Sequence, residues 1–167
     1  MLEPRQEDLA QPHSADRERQ LTLILRGERE SCPWRECKAM LHQARLRPTR
    51  QRMMLAWILF SQGNRHITAE MLFDEANKAK VPVSLATVYN ALKQFTEAGL
   101  LRQIGVDGSR AYFDTNPSEH HHFFVEGEQA VIDIPLADVA LPRMPQAPDG
   151  FEIARIDVTV RLRRKSG

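Results

Sequence analysis

Val83-Ser84-Leu85-Ala86-Thr87-Val88-Tyr89-Asn90-Ala91-Leu92-Lys93-Gln94-Phe95-Thr96-Glu97-Ala98-Gly99-Leu100-Leu101 is a complete helix written in sequence, and its outer face is unusual. Ser84 is placed to cap its start and Gly99 to end it in the left-handed conformation. Leu85, Val88, Leu92 and Phe95 recur at three and four residues and predict a core-facing stripe, while Thr87, Tyr89, Asn90, Lys93 and Gln94 project outward. Hydroxyls, an amide and a cation on one face suit phosphate oxygens and base edges. The segment is therefore a candidate recognition helix for the DNA major groove. Amphipathic spacing alone is what any surface helix shows, so the neighbouring segments decide between the two readings.

Upstream, Thr68-Ala69-Glu70-Met71-Leu72-Phe73-Asp74-Glu75-Ala76-Asn77-Lys78 predicts another helix, with Thr68 as N-cap and an acidic first turn. A break at Val81-Pro82-Val83 separates the two, which is helix-turn-helix organisation. Downstream, Leu101-Arg102-Gln103-Ile104 and Ala111-Tyr112-Phe113 flank Val106-Asp107-Gly108-Ser109, and Asp-Gly between apolar runs signals a β-hairpin. Helix, helix, hairpin is the order of a winged-helix domain.

Net charge is +1 over 167 residues, but it is unevenly divided. Residues 34–102 carry 11 Lys+Arg against 5 Asp+Glu, whereas the first 33 carry 5 against 7 and the remainder 7 against 10. Positive charge is concentrated where the helices are. Arg45, Arg47, Arg50 and Arg52 surround Pro48-Thr49 at the start of a helix through Met54, Leu55, Ile58 and Leu59. Arginines beside a helix N-terminus make a phosphate clamp, and Arg47, Arg50 and Arg52 are expected to hold DNA phosphates. Ser84, Thr87, Tyr89, Asn90 and Lys93 are the residues expected at the groove. The alternative is a solvated basic face, which the recognition helix that follows makes the weaker reading.

Leu46-Arg47-Pro48-Thr49-Arg50-Gln51-Arg52, His66-Ile67-Thr68-Ala69-Glu70, Leu85-Ala86-Thr87-Val88-Tyr89-Asn90 and the histidines after Asp114 together resemble the ferric uptake regulator family, in order and spacing. The resemblance runs from about Leu41 to Ile134. Ser84 to Asn90, Phe113-Asp114-Thr115-Asn116, His120-His121-His122 and the basic ending Arg161-Leu162-Arg163-Arg164-Lys165 further resemble the iron response regulator branch of α-proteobacteria. This resemblance implies a dimeric, metal-responsive transcription factor acting on double-stranded operator DNA.

The expected fold class is α+β, with an N-terminal winged helix-turn-helix domain and a small C-terminal α/β dimerisation domain. Residues 1–31 carry 12 charged residues and few large apolar ones, which predicts a mobile tail. Residues 32–115 would form the DNA-binding domain, 116–118 a hinge and 119–167 the dimerisation domain. In the latter, Val131-Ile132-Asp133-Ile134 and the alternating Ile156-Asp157-Val158-Thr159-Val160-Arg161-Leu162-Arg163 have strand character. So small a piece buries little core alone, and pairing with a second copy would complete its sheet. No apolar run approaches the ~20 residues of a membrane helix and no secretory signal is visible, so a cytoplasmic protein without a membrane partner is expected.

Metal chemistry concentrates at His120-His121-His122, because imidazole is a common transition-metal ligand near neutral pH. On a strand only His120 and His122 share a face, so other ligands are required. Surface histidines without a ligand are the alternative. Family resemblance supplies the partners His66, Asp114 and Asp133, which with His122 and its neighbour His120 form the expected sensing site. Histidines and carboxylates together accept Fe²⁺, Mn²⁺ or Zn²⁺ and do not choose among them. Two departures from the family stand out. No cysteine lies beyond Cys37, so a Cys₄ structural zinc site is not expected, and Ile156 stands where another family site uses a histidine.

Two cysteines argue against a disulfide framework. Cys32-Pro33-Trp34 resembles the haem regulatory motif of the same branch, which implies haem as a cofactor, with Cys32 and His120, His121 and His122 as ligands and a haem-delivering protein as a further partner. An ordinary linker cysteine is the alternative for Cys32. Three function classes follow: a DNA-binding regulator of iron and haem metabolism, responsive to haem or to a divalent metal; a metalloenzyme; and a metal or haem carrier. No general acid with a separate substrate pocket is visible, so no catalytic residues are expected, and a carrier has no need of a basic helix-turn-helix. The regulator accounts for the most features.

Overall fold

Three helix starts are fixed by side chains that the sequence supplies. The computed structural model describes residues 33–105, 110–128 and 130–165. Helix α1 spans Pro33–Gln43, with proline in the first turn where its missing N–H costs nothing. Helix α2, Arg50–Phe60, is capped by Thr49, whose side chain accepts from Arg52 N. Helix α3, Ala69–Lys78, is capped by Thr68 bonding Met71 N. Helix α4, Leu85–Glu97, is capped by Ser84, whose Oγ accepts from Thr87 N at 3.1 Å. Gly99 ends α4 with φ +73°, and Leu100 N closes onto Phe95 O at 2.8 Å, as the glycine stop predicts.

Leu41, Leu55, Leu59, Ile67, Leu72, Val88, Leu92 and Phe95 are fully buried where α1 to α4 meet. Each contributes on the order of 1.5–3 kcal/mol by leaving water. Leu85 departs from the expected stripe. It is 36% exposed, and Ala91 fills the inward position instead. As the first residue after the cap, Leu85 sits at the end of the helix, beyond the reach of the core.

Strands β1 (His66–Ile67), β2 (Arg102–Gly105) and β3 (Ala111–Asp114) form an antiparallel sheet ordered β1-β3-β2. With the preceding helices this is the winged-helix arrangement. A second sheet, ordered β5-β4-β6, pairs β4 (His121–Val125) antiparallel to β5 (Ala130–Ile134) and parallel to β6 (Thr159–Leu162). The α+β class expected from sequence is present, and the helix of the second part, among the described residues, is the 3₁₀ turn Leu136–Asp138. Strand β6 is half the length its alternation predicts: it begins at Thr159, and ahead of it Val158 O accepts from His122 N at 3.0 Å. The Asp-Gly turn, the N-terminal tail and Cys32 lie outside the described residues.

The two sheets touch through Ile104, Tyr112 and Phe124, the last two rings meeting edge-on at 6.2 Å. Arg102 adds a polar link from β2. Its guanidinium is buried and donates to Ser118 O at 2.5 Å and to Asp157 Oδ1 at 2.6 Å. At the other edge Arg65 N donates to Thr115 Oγ1 at 2.9 Å, and Thr115 N returns a bond to Arg65 O at 3.1 Å. Among the described residues, no helix is long and apolar enough to cross a membrane.

Candidate metal centre and nucleic-acid interface

Sheet register assembles the candidate metal centre. In the first sheet His66 lies opposite Asp114, and in the second His122 lies opposite Asp133. His120, just before β4, points to the same side as His122, and the rings of the two histidines stand 4.6 Å apart. His66, Asp114, His120, His122 and Asp133 each offer one ligand atom, and these atoms all lie within 4.8 Å of one another. His66 Nε2 is 2.9 Å from Asp133 Oδ1, His120 Nε2 is 2.9 Å from Asp114 Oδ2, and His122 Nε2 is 3.6 Å from the same Asp114 oxygen.

Those distances alone would suit ion pairs, but the angles do not make hydrogen bonds. His66 Nε2, His120 Nε2, His122 Nε2 and Asp114 Oδ2 are all buried without a hydrogen-bond partner. Four converging orphaned atoms are costly unless something occupies the space between them. Two carboxylates beside three imidazoles also leave negative charge uncompensated, which a divalent cation would offset. Burial, chiefly, lowers the pKa of His66 below its usual 6.5 against the pull of Asp114 and Asp133, so its neutral, ligating form is favoured. Around these atoms, His120 Nδ1 donates to Ser118 O at 2.9 Å, which turns its Nε2 lone pair inward. Asp114 Oδ1 accepts from Asn116 N at 2.7 Å. Donor set and surroundings therefore fit a cation.

His121 points the other way. Its Nδ1 accepts from Val158 N at 3.4 Å, and it lines an open cleft of about 410 Å³ with Arg102, Leu136, Met144, Ile153 and Arg155. Cys37 is buried in the helical core with its thiol pushed up to about 11, by burial first and Glu36 second, which makes it a poor ligand. The expected Cys32 ligand falls outside the described residues.

Helices α2 and α4 border a polar cleft of about 300 Å³ lined by Thr49, Gln51, Arg52, Thr87, Asn90 and Gln94. Arg52 Nε donates to Gln94 Oε1 at 2.8 Å and its Nη1 to Arg47 O at 2.9 Å, so this arginine braces the clamp as well as lining it. Arg47 and Arg50 are exposed beside it. Tyr89 and Asn90 are exposed on α4, while Lys93 is exposed and lies 3.8 Å from Glu97. Ser84 departs from the expected contact set in one respect: its hydroxyl is engaged by Thr87 N and Thr87 Oγ1 and serves the cap. Gln51 was absent from the expected set, and only its place in the first turn of α2 signals it. Glu70 was read only as a favourable charge at the start of α3, yet it accepts from Tyr89 OH at 2.6 Å.

Residues 43–161 match the model of the ferric uptake regulator family. The ferric uptake regulation protein of Pseudomonas putida is 31% identical over 128 residues, which are 75% of this chain and 95% of that protein. Its counterpart in Pseudomonas aeruginosa is 32% identical over 127 residues, with the same coverage. The peroxide-responsive repressor PerR of Staphylococcus aureus is 28% identical over 119 residues, covering 71% of this chain and 80% of PerR. Among solved structures, the ferric uptake regulator of Pseudomonas aeruginosa with manganese matches with a TM-score of 0.62 at 28% identity, over 77% of this chain and 98% of that one.

Proposed function

This chain belongs to the ferric uptake regulator family, whose members are DNA-binding transcription regulators and not enzymes, and we propose that it binds operator DNA as a dimer under the control of a divalent metal. The proposed ligands are His66, Asp114, His120, His122 and Asp133, and the proposed metals are Fe²⁺, Mn²⁺ or Zn²⁺. One observation carries the reading: the orphaned ligand atoms come from both sheets and meet in one buried space. A similar protein has been solved with manganese. When bound, the cation neutralises the carboxylates and holds the two groups of ligands together.

His66 and Asp114 belong to the sheet next to the helices, and His122 and Asp133 to the sheet proposed to dimerise, with His120 just before it. Residues 116–118 are the proposed hinge between them, with the boundary of the DNA-binding part at residue 115. Because the ligand set spans that hinge, closing it fixes the angle between recognition helix and dimer sheet. In a dimer that angle sets the distance between two recognition helices, and so which half-site spacing both can engage. Arg47, Arg50 and Arg52 are proposed to hold phosphates while Thr87, Tyr89, Asn90 and Lys93 face the groove, with Ser84 placing Thr87.

Selecting duplexes from a randomised pool with and without Mn²⁺, using the parent, Asp114→Asn and His122→Ala, tests this reading. The parent should enrich a sequence more strongly with the metal, and both variants should lose that dependence. Unchanged metal dependence in both would overturn the proposed site.

A second reading, haem control of iron and haem metabolism, is favoured by the cleft beside His121, where apolar walls meet Arg102 and Arg155. The apolar side chains suit the macrocycle of haem, while both arginines are already paired with Asp157. Optical titration with haem of the parent, Cys32→Ala and His121→Ala tests it. Identical spectra in all three would remove Cys32 and His121 as ligands.

A further inference from the structure

Glu70 sits in the first turn of α3 and is not part of the recognition helix, yet its carboxylate reaches the most exposed aromatic side chain on that helix. Tyr89 is 45% exposed and donates its hydroxyl hydrogen to Glu70 Oε1 at 2.6 Å. A bond that short to a carboxylate is charge-assisted and stronger than a neutral one. Tyr89 first, then the Glu70 backbone amide, the Thr68 hydroxyl and the Arg110 charge hold the carboxyl below its usual range. The same bond raises Tyr89, so near neutral pH the pair consists of an ionised acid and a protonated phenol.

A phenol has one hydrogen to give and lone pairs with which to accept. With the hydrogen held by Glu70, Tyr89 Oη has only acceptance left to offer. Phosphate oxygens, guanine N7 and O6, and thymine O4 are themselves acceptors and make no partner for it. The remaining partners in the major groove are the exocyclic amines, adenine N6 and cytosine N4. We propose that Glu70 is a specificity-determining positioning residue, which fixes the Tyr89 hydroxyl as an acceptor and so directs it to an exocyclic amine. The inference rests on the reading that Tyr89 faces the groove.

The alternative is that the bond merely ties α3 to α4, and the test separates the two. The duplex enriched by the parent is rebuilt with single amine-lacking analogues, purine for adenine and pyrimidin-2-one for cytosine. Binding is then measured for the parent, Glu70→Ala, Glu70→Gln, Tyr89→Phe and the Glu70→Ala/Tyr89→Phe double variant. At one position the analogue should weaken the parent about fivefold, the worth of one hydrogen bond. Glu70→Gln should keep that penalty, because its amide oxygen still accepts from the phenol. Glu70→Ala and Tyr89→Phe should each abolish it, and the double variant should be no different from either single one.

Equal analogue penalties in the parent and Glu70→Ala would overturn the proposal, as would a uniform gain in affinity for every duplex, which reports charge alone. So would effects of the two substitutions that multiply in the double variant. Tyr89→Phe keeps the ring and its packing and supplies the decisive comparison should Glu70→Ala unfold. Failure of the parent to enrich any sequence would overturn the proposed function and this inference together.

Discussion

At Asp114 the two carboxylate oxygens have different fates. Oδ1 accepts from Asn116 N at 2.7 Å, which pins the chain as it leaves β3, while Oδ2 is buried, unbonded and turned toward His120 and His122. A local turn thus orients the group that the more distant histidines need. At the proposed nucleic-acid face the corresponding residue is Tyr89. Replacing it by alanine removes both ring and hydroxyl from an exposed site, so the fold should persist while specific DNA affinity falls by about 1–3 kcal/mol. Circular dichroism and binding to the enriched duplex check the two halves of that statement, and undiminished affinity would sink it. Residues of this kind were legible unequally. His66, Asp114, His122 and Asp133 stood out through their resemblance to a known pattern, and alternation on a strand paired His120 with His122. The Glu70 contact was not legible, because it joins positions 19 apart on different helices and no local periodicity encodes it.

Elements are where local chemistry speaks most directly. Thr49, Thr68 and Ser84 each cap the helix that begins beside them, because a short hydroxyl side chain in extended backbone reaches an otherwise unpaired amide. Gly99 makes the complementary stop. Its φ of +73° disfavours any Cβ, yet nothing within 4 Å would collide with one. Gly99→Ala should therefore cost only the backbone term, about 1 kcal/mol, seen as a lower urea midpoint with an unchanged slope. A loss of several kcal/mol would show that the turn has a packing role the open space does not suggest. Where sequence reading went astray, tertiary geometry had the deciding influence. Leu85 fits the apolar stripe but lies at the helix end, and β6 starts only at Thr159, since Asp157 is taken up by Arg102 and Arg155 and Val158 N by the His121 ring.

Across the whole molecule, the two sheets are joined by an aromatic contact, by the Arg102 bonds and by the five-residue centre. Ser118 O accepts from both Arg102 and His120, so the inter-sheet link and the ligand orientation share one carbonyl. Metal binding should then stabilise the chain as a unit, by about 2.7 kcal/mol at a free Mn²⁺ concentration of about 100 times Kd. The effect should depend on pH with a definite sign. The pKa of His66 is lowered in the folded protein, so the unfolded chain takes up a proton first as pH falls below about 6.5. Stability from the neutral imidazole is therefore present above that pH and lost as pH falls through the lower folded value. The lone pair that would hold the metal disappears over the same range. Thermal unfolding of the parent should show a rise in Tm with Mn²⁺ that is larger at about pH 7.5 than at about pH 5.5. Asp114→Asn should show little rise at either pH. A rise of equal size at both pH values in the parent would mean that the cation is held elsewhere, by groups that do not compete with protons in this range.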